Sequence, residues 1–445
     1  MRHPAYSPIG EVKPNPLTYL CATPNAILRR LLAYARTRLG WEAGLDAVSD
    51  ARRRPQISTP VIVRSLTVMF LTRLGSLNAL LQTRPQRFWS RWLGAAMPSA
   101  DTLGRVATQI EVSGLREVHQ QVYTRLRRGK ALPPPAHGLI AGVIDGHESH
   151  ATFRRHCSGC LSRTIRTTAG DRTQYYHRHV TFQLLGDDWT LMLDAEPQRP
   201  GEDEVTAALR LLKRVLAAYP RAFELVLGDA LYADPRIFNY LYSHGKDILA
   251  VLKGNHPALL QDAGSLFESM PPVSGRSGTR ACQWWDLGGF TTWPQVAAPI
   301  RIVRSVEDWT VRRQLDGQVE QQHAEWFWVT TLPVARATTG AVVQLGHARW
   351  AIENEGFNEL ATRWHADHVY RHESTALLVF TLLAMLCLNV FLAFYRRDLK
   401  PAARAAGSRL QVARQAAAEL YASPPAATSR APPGRRRPPL VQPLV

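Results

Sequence analysis

Two acids in this chain close apolar runs: Asp145 ends LIAGVID, and Asp229 ends FELVLGD. At the carboxyl ends of strands in an open sheet, side chains project past the sheet into a crevice, and ligands bind there. An Asp at such a place is also a common turn or helix cap, so one alone says little. A third source of acid lies far downstream in RWAIENEGFNEL (349–360), where Glu353, Glu355 and Glu359 share one helical stretch. Two strand-end carboxylates and one helix carboxylate can hold two divalent ions roughly 3.5 to 4 Å apart. One ion activates an attacking oxygen and the other stabilises the leaving oxygen of a phosphodiester. That is phosphoryl-transfer chemistry on nucleic acid. Residue types alone leave open which of the three glutamates takes part.

The charge accords with that chemistry. Lys and Arg number 54 against 36 Asp and Glu in 445 residues, a formal charge of +18. Such an excess favours a polyanionic partner, because neutralising phosphates releases condensed counterions. Nucleic acid leads; an anionic membrane surface competes. Five scattered cysteines (Cys21, Cys157, Cys160, Cys282, Cys387) do not form a secreted disulfide framework and fit a reducing, cytoplasmic interior. MRHPAYSPIG is polar and Pro-broken where a signal peptide needs an apolar run.

One segment points elsewhere. STALLVFTLLAMLCLNVFLAFY (374–395) is uncharged, long enough to cross a bilayer and followed by Arg396, Arg397 and Lys400. Thr381 and Asn389 lie within it, and a helix buried on all sides in a large domain reads the same way. The buried helix is the preferred expectation, with no membrane partner.

The elements that position these acids follow from hydrophobic period. Residues 1–135 read as a helical, basic, DNA-binding region: TPVIVRSLTVMFLTRLGSLNALL has helical spacing, and PSADTLGRVATQIEVSGLREVHQQVYTRLRR has Ser99 or Asp101 as N-cap. ALPPPAHG (131–138) reads as a Pro-rich linker. From 136 to 256 strands alternate with helices, which predicts a mixed α/β layer. From 257 to 345 short β-type runs carry Trp284, Trp285, Trp293, Trp309, Trp326 and Trp328, which predicts a β-rich insertion. Residues 346–397 return to helix, with Ile352, Phe357, Leu360 and Trp364 as one apolar face. From 398 to 445 the Pro/Ala/Arg composition predicts disorder.

The order GVIDG, then LVLGDALYAD, then RWAIENEGFNEL after a β-rich stretch resembles the DDE transposases of bacterial insertion sequences, over about 139 to 395. The resemblance implies an RNase H-like mixed-sheet core with a β-rich insertion, preceded by a helical N-terminal domain. In that branch the third acid lies in a Tyr-x2-Arg-x3-Glu-x6-Lys signature on a helix. Arg349 and Glu353 match its Arg-x3-Glu part, so the implied catalytic acids are Asp145, Asp229 and Glu353, binding two Mg²⁺ with Mn²⁺ able to substitute. Gly346 and Leu360 stand where the signature has Tyr and Lys. Glu355 and Glu359 are then expected on a solvated face. The implied partners are double-stranded DNA, as element ends and target, and a second copy of the chain when DNA is bound. Arg349 and Lys253 are candidates for phosphate, although Arg349 could equally pair with Glu353 at i, i+4. Trp284, Trp285 and Trp293 are candidates for stacking a flipped base.

A second cluster, in ESHATFRRHCSGCLSRTIRTTAGDRTQYYHRHV, has zinc-type ligands: Cys157-x2-Cys160 with His177 and His179. Reduced, packed cysteines with phosphate-facing histidines are the slightly preferred reading of the same residues. Beside the transposase, three readings stay open: an RNase H-like nuclease that cuts without joining, a catalytically silent DNA-binding derivative, and a single-span membrane protein.

Overall fold

The computed structural model describes residues 27–132, 138–168, 170–186, 189–313 and 315–422. Its centre is one sheet whose strands are β1 (Ala141–Thr152), β2 (Leu161–Thr167), β3 (Gly170–Leu184), β4 (Leu191–Pro197), β5 (Leu225–Gly228), β6 (Asp247–Val251), β7 (Val273–Ser277), β8 (Arg280–Gly288), β9 (Arg301–Arg312) and β10 (Val319–Thr330). β3 pairs antiparallel with β1, β4 with β3, and β1, β5 and β6 run parallel. This mixed sheet, with a parallel centre of β1, β5 and β6 and antiparallel strands on both sides, is an RNase H-like core. The tryptophan-containing strands continue the same sheet: β10 pairs with β6, then β9, β8 and β7 follow outward.

Seven helices precede the sheet among the described residues: α1 (Ile27–Tyr34), α2 (Trp41–Ala47), α3 (Thr59–Leu71), α4 (Leu77–Gln82), α5 (Arg87–Leu93), α6 (Ala100–Ala107) and α7 (Val112–Arg128). Ser99 caps α6 by accepting from the Thr102 amide. The continuous helix expected from 99 onward is broken between α6 and α7, where Ile110 forms a β-bridge with Asp50. The linker residues 133–137 and the segment 1–26, with Cys21, lie outside the described residues.

Between and after the strands come α8 (Glu204–Ala218), α9 (Pro235–Ser243), α10 (Pro257–Glu268), α11 (Thr339–Ala348), α12 (Asn358–Trp364), α13 (Ser374–Arg397), α14 (Pro401–Ala406) and α15 (Arg409–Ala422). α13 is the one described helix long and apolar enough to cross a bilayer, and 94% of its apolar window is buried. Asn389 explains its polar position: its side chain accepts from the Met192 amide and donates to the Met192 carbonyl. The helix thereby covers the free edge of β4, which pairs only with β3 among the described strands.

The disorder expected after 398 is corrected as far as Ala422. In α15, Val412, Ala413, Ala416 and Leu420 form a buried stripe, and Glu419 accepts from the Leu28 amide and Arg29 of α1. Small apolar residues at helical spacing were hidden there by the Ala-rich composition. Residues 423–445 lie outside the described residues.

Candidate active site

Asp145 is set by the parting of two strands. β1 pairs with β5 only over Ala141–Val143, while its pairing with β3 continues to Thr152. Asp145 therefore lies within a twelve-residue strand, not at its end as expected. The sheet still opens beside it, because β5 stops at Gly228. Ala141 and Val143 face the apolar cluster that holds Ile352 and Phe357, and the two-residue period turns Asp145 to that same side. Asp229 follows β5 directly and caps the short turn Ala230–Tyr232, its Oδ1 accepting from the Leu231 amide at 2.8 Å.

Glu353 comes from a π-helical turn, Ile352–Phe357, that leads into α12. Single π turns widen a helix locally and recur at functional sites. Gly356 lets this turn lie against β3: a Cβ there would run into the Gln183 carboxamide oxygen. Ile352 and Phe357 are buried beneath, and Glu353 remains exposed above them.

Arg349 joins the two ends. Its Nη1 lies 3.3 Å from Asp145 Oδ2 and 3.2 Å from Glu353 Oε1, with the residue 7% exposed. Burial pushes the Asp145 carboxyl up to about 7; the charge of Asp229 adds to this, Arg349 opposes it, and Glu353 adds a smaller push. The charges of Asp229 and Glu353 thus both reach the Asp145 carboxyl. Behind Asp145, Glu204 presses so close to Gly146 that a Cβ would meet its carboxylate. Glu204 accepts from Tyr232 Oη at 2.7 Å and pairs with Arg178 at 2.8 Å. This buried acid was not singled out from the sequence, where it reads as an ordinary first-turn helix acid.

The departures from the signature have steric reasons. A side chain at Gly346 would run into the indole nitrogen of Trp328, and Leu360 is packed in the core at 5% exposure. The solvated face expected for Glu359 is corrected: it is 8% exposed, accepts from Trp364 Nε1 at 3.2 Å, and pairs with Arg363 and with Arg73 of the N-terminal helices. Glu355 is exposed.

Lys253 stands exposed two residues past β6. It lines a cleft of about 600 Å³ with Arg304, Glu325, Trp326 and Phe327. Trp293 is 5% exposed, its ring 4.9 Å from Phe238 and 4.4 Å from His256, so it is held in the core rather than offered to a base. Trp285 donates to the Met270 carbonyl and carries the Arg304 guanidinium 4.5 Å over its ring. Trp284 is half-buried, packed over Gly275 and Gly340. Trp350 was missed: it is 46% exposed and its ring centre lies 5.8 Å from the Arg349 guanidinium. Its place in the pair Arg349-Trp350 was the available signal.

The cysteine cluster assembles with one replacement. Cys157, Cys160, His177 and His372 bring their ligand atoms within 4.8 Å of one another. His179, the expected fourth member, is buried elsewhere on β3, and His372 takes its place from the turn before α13. Among the described residues this is the one group of three or more His, Cys, Asp or Glu drawn so close. The three acids stand wider, with Arg349 between them. Their chemistry nevertheless fits hard divalent cations, which take carboxylate oxygens, and burial, with Asp229 and Glu353 adding to it, raises the Asp145 carboxyl in a way a bound cation would offset.

No curated protein matches the chain. A family model described as a transposase DDE domain matches residues 139–390, more than half of the chain and all the elements that carry the three acids. The protein belongs to the DDE-domain transposases.

Proposed function

We propose that this protein is a cytoplasmic DNA transposase of a bacterial insertion sequence, which cuts at the ends of its element and joins them to target DNA. The observation that supports this most is that Asp229, at the end of β5, and Glu353, on the π turn, both bear on the buried carboxyl of Asp145 on β1, with Arg349 bonded to Asp145 and Glu353. Two bound Mg²⁺ ions, or Mn²⁺ in their place, would supply an activated attacking oxygen and charge stabilisation at the leaving oxygen. The chain's own residues do the rest. Asp145, ionised above about pH 7, together with Asp229 and Glu353, offers the carboxylate oxygens that hold the ions. Arg349 neutralises Asp145 and Glu353; with cations on those carboxylates its guanidinium would be free to meet a phosphate.

The two reactions balance without an enzyme-bound intermediate. Water forms a bond to phosphorus while the bond to the 3′-oxygen breaks, leaving a 5′-phosphate and a 3′-hydroxyl. That hydroxyl then bonds to a target phosphorus as the target's own 3′-oxygen departs, so the number of phosphodiesters in the joining step is conserved. Lys253 and Arg304, which line one cleft, Trp284 and Trp285 on β8, and the exposed Trp350 are candidate contacts to phosphate and unstacked bases. Two copies, one per element end, form the working assembly.

The test is strand transfer: pre-cut element ends with free 3′-hydroxyls are incubated with supercoiled plasmid and Mg²⁺. Joined products support the transposase reading. Cleavage without joining selects a nuclease, and binding without either selects a silent DNA-binding derivative.

A further inference from the structure

We infer that Cys157, Cys160, His177 and His372 form a structural zinc site, separate from the carboxylates, that fastens the β1–β2 turn to the start of α13. The distances carry this. Cys157 Sγ lies 3.9 Å from Cys160 Sγ and 3.5 Å from His177 Nε2. Cys160 Sγ lies 3.2 Å from His177 Nε2 and 3.3 Å from His372 Nε2. With Zn–S near 2.3 Å and Zn–N near 2.05 Å, a tetrahedron spaces two sulfurs by about 3.8 Å and sulfur from nitrogen by about 3.6 Å. Four of the six edges lie within about 0.4 Å of those values, and all four atoms lie within 4.8 Å of one another.

The surroundings are those of a ligand shell. The Cys157 amide points at Cys160 Sγ, 3.2 Å away, and the Cys160 amide donates to the Cys157 carbonyl, so Cys157-x2-Cys160 is a tight turn. Ser374 Oγ stands 3.8 Å from Cys157 Sγ, and Gly159 fits against Ser374 so closely that a Cβ could not be accommodated. Both histidines turn Nε2 to the sulfurs. Neutral thiol–imidazole hydrogen bonds would bring these atoms together in pairs. They give no reason for two cysteines and two histidines to converge from three chain segments, with Cys160 and His372 separated by 212 positions.

The location gives the site its use. His372 ends the segment that runs from the Glu353-bearing turn and α12 to α13, and Asp367 in the same segment pairs with His147 of β1 at 2.9 Å. A zinc ion would add a stronger tie between the sheet around Asp145 and the Glu353 segment.

The experiment reads metal, not transposition, and so stands or falls apart from the proposed function. Full-length protein purified without chelator or affinity metal is analysed for zinc, and Co²⁺ is substituted for optical spectroscopy. About one zinc per chain is expected, with thiolate-to-Co²⁺ charge transfer and tetrahedral d–d bands. Cys160→Ser and His372→Ala should lose the metal, while His179→Ala keeps it. His372→Cys should retain zinc and the wild-type circular dichroism, which separates lost ligation from lost fold. Purified protein without zinc that also fails to bind Co²⁺ overturns the inference. So does a folded His372→Ala that keeps full zinc, or a folded His179→Ala that loses it.

Discussion

Asp145 and Glu353, which lie on a strand and a helix far apart in the chain, meet on a single nitrogen of Arg349, at 3.3 and 3.2 Å. One guanidinium thus occupies the space between two of the acids proposed to hold cations. Arg349 lowers the Asp145 pKa against burial and Asp229. Removing it should raise that pKa further. In Arg349→Ala the pH at which Mg²⁺ affinity rises should move upward by about one unit or more, measured by calorimetric titration across pH. An unmoved midpoint would show that the pair is incidental.

Asp145 itself should cost the metal-free protein stability. Its carboxyl titrates near the usual carboxylate range when unfolded and at about 7 when folded. Its favourable contribution is therefore complete below the unfolded value and is lost as pH rises through about 7. Asp145→Asn should melt a few degrees above the wild type at about pH 8 without metal, with the gap closing toward about pH 5. Added Mg²⁺ should raise the Tm of the wild type and not of the variant. Differential scanning calorimetry in the two buffers decides it.

Asp145 and Asp229 were singled out because each closes a short apolar run, a pattern shared with turn caps, and Asp145 lies inside β1 because its pairing with β3 outlasts its pairing with β5. Glu353 needed the Arg-x3-Glu spacing, and its π turn left no trace in the residue pattern. Glu359 looked solvated because its buried partner Arg73 comes from the N-terminal helices. His372 was invisible as a cluster member for the same reason: sequence spacing reports local geometry, and this contact spans almost half the chain. The tryptophan-rich strands read correctly as β, yet nothing local says that β10 docks on β6 and extends the central sheet.

Gly346, where the signature has Tyr, is fixed by Trp328. Gly346→Ala should cost about 1–3 kcal/mol through overpacking against the indole, read from the urea midpoint. Restoring the signature residue as Gly346→Tyr should cost more still. A neutral result for Gly346→Ala would mean that α11 shifts freely on β10.

Asn389 should be structural in a buried helix. Asn389→Leu leaves the Met192 amide and carbonyl on β4 without their partner, a loss of about 1–3 kcal/mol per buried group left unsatisfied. The wild type should remain in the aqueous phase after ultracentrifugation without detergent. Recovery only in the membrane pellet would return α13 to the bilayer.

The central claim rests on three acids acting as one site, and the direct measurement is Mg²⁺- or Mn²⁺-dependent cleavage of DNA carrying the ends that flank this gene. The wild type is compared with Asp145→Ala, Asp229→Ala and Glu353→Ala, each first checked for fold by circular dichroism. The account predicts cuts at the element ends and a loss of at least about a hundredfold in every variant. Normal cutting by folded Glu353→Ala would contradict it and send the search for the third acid to Glu355.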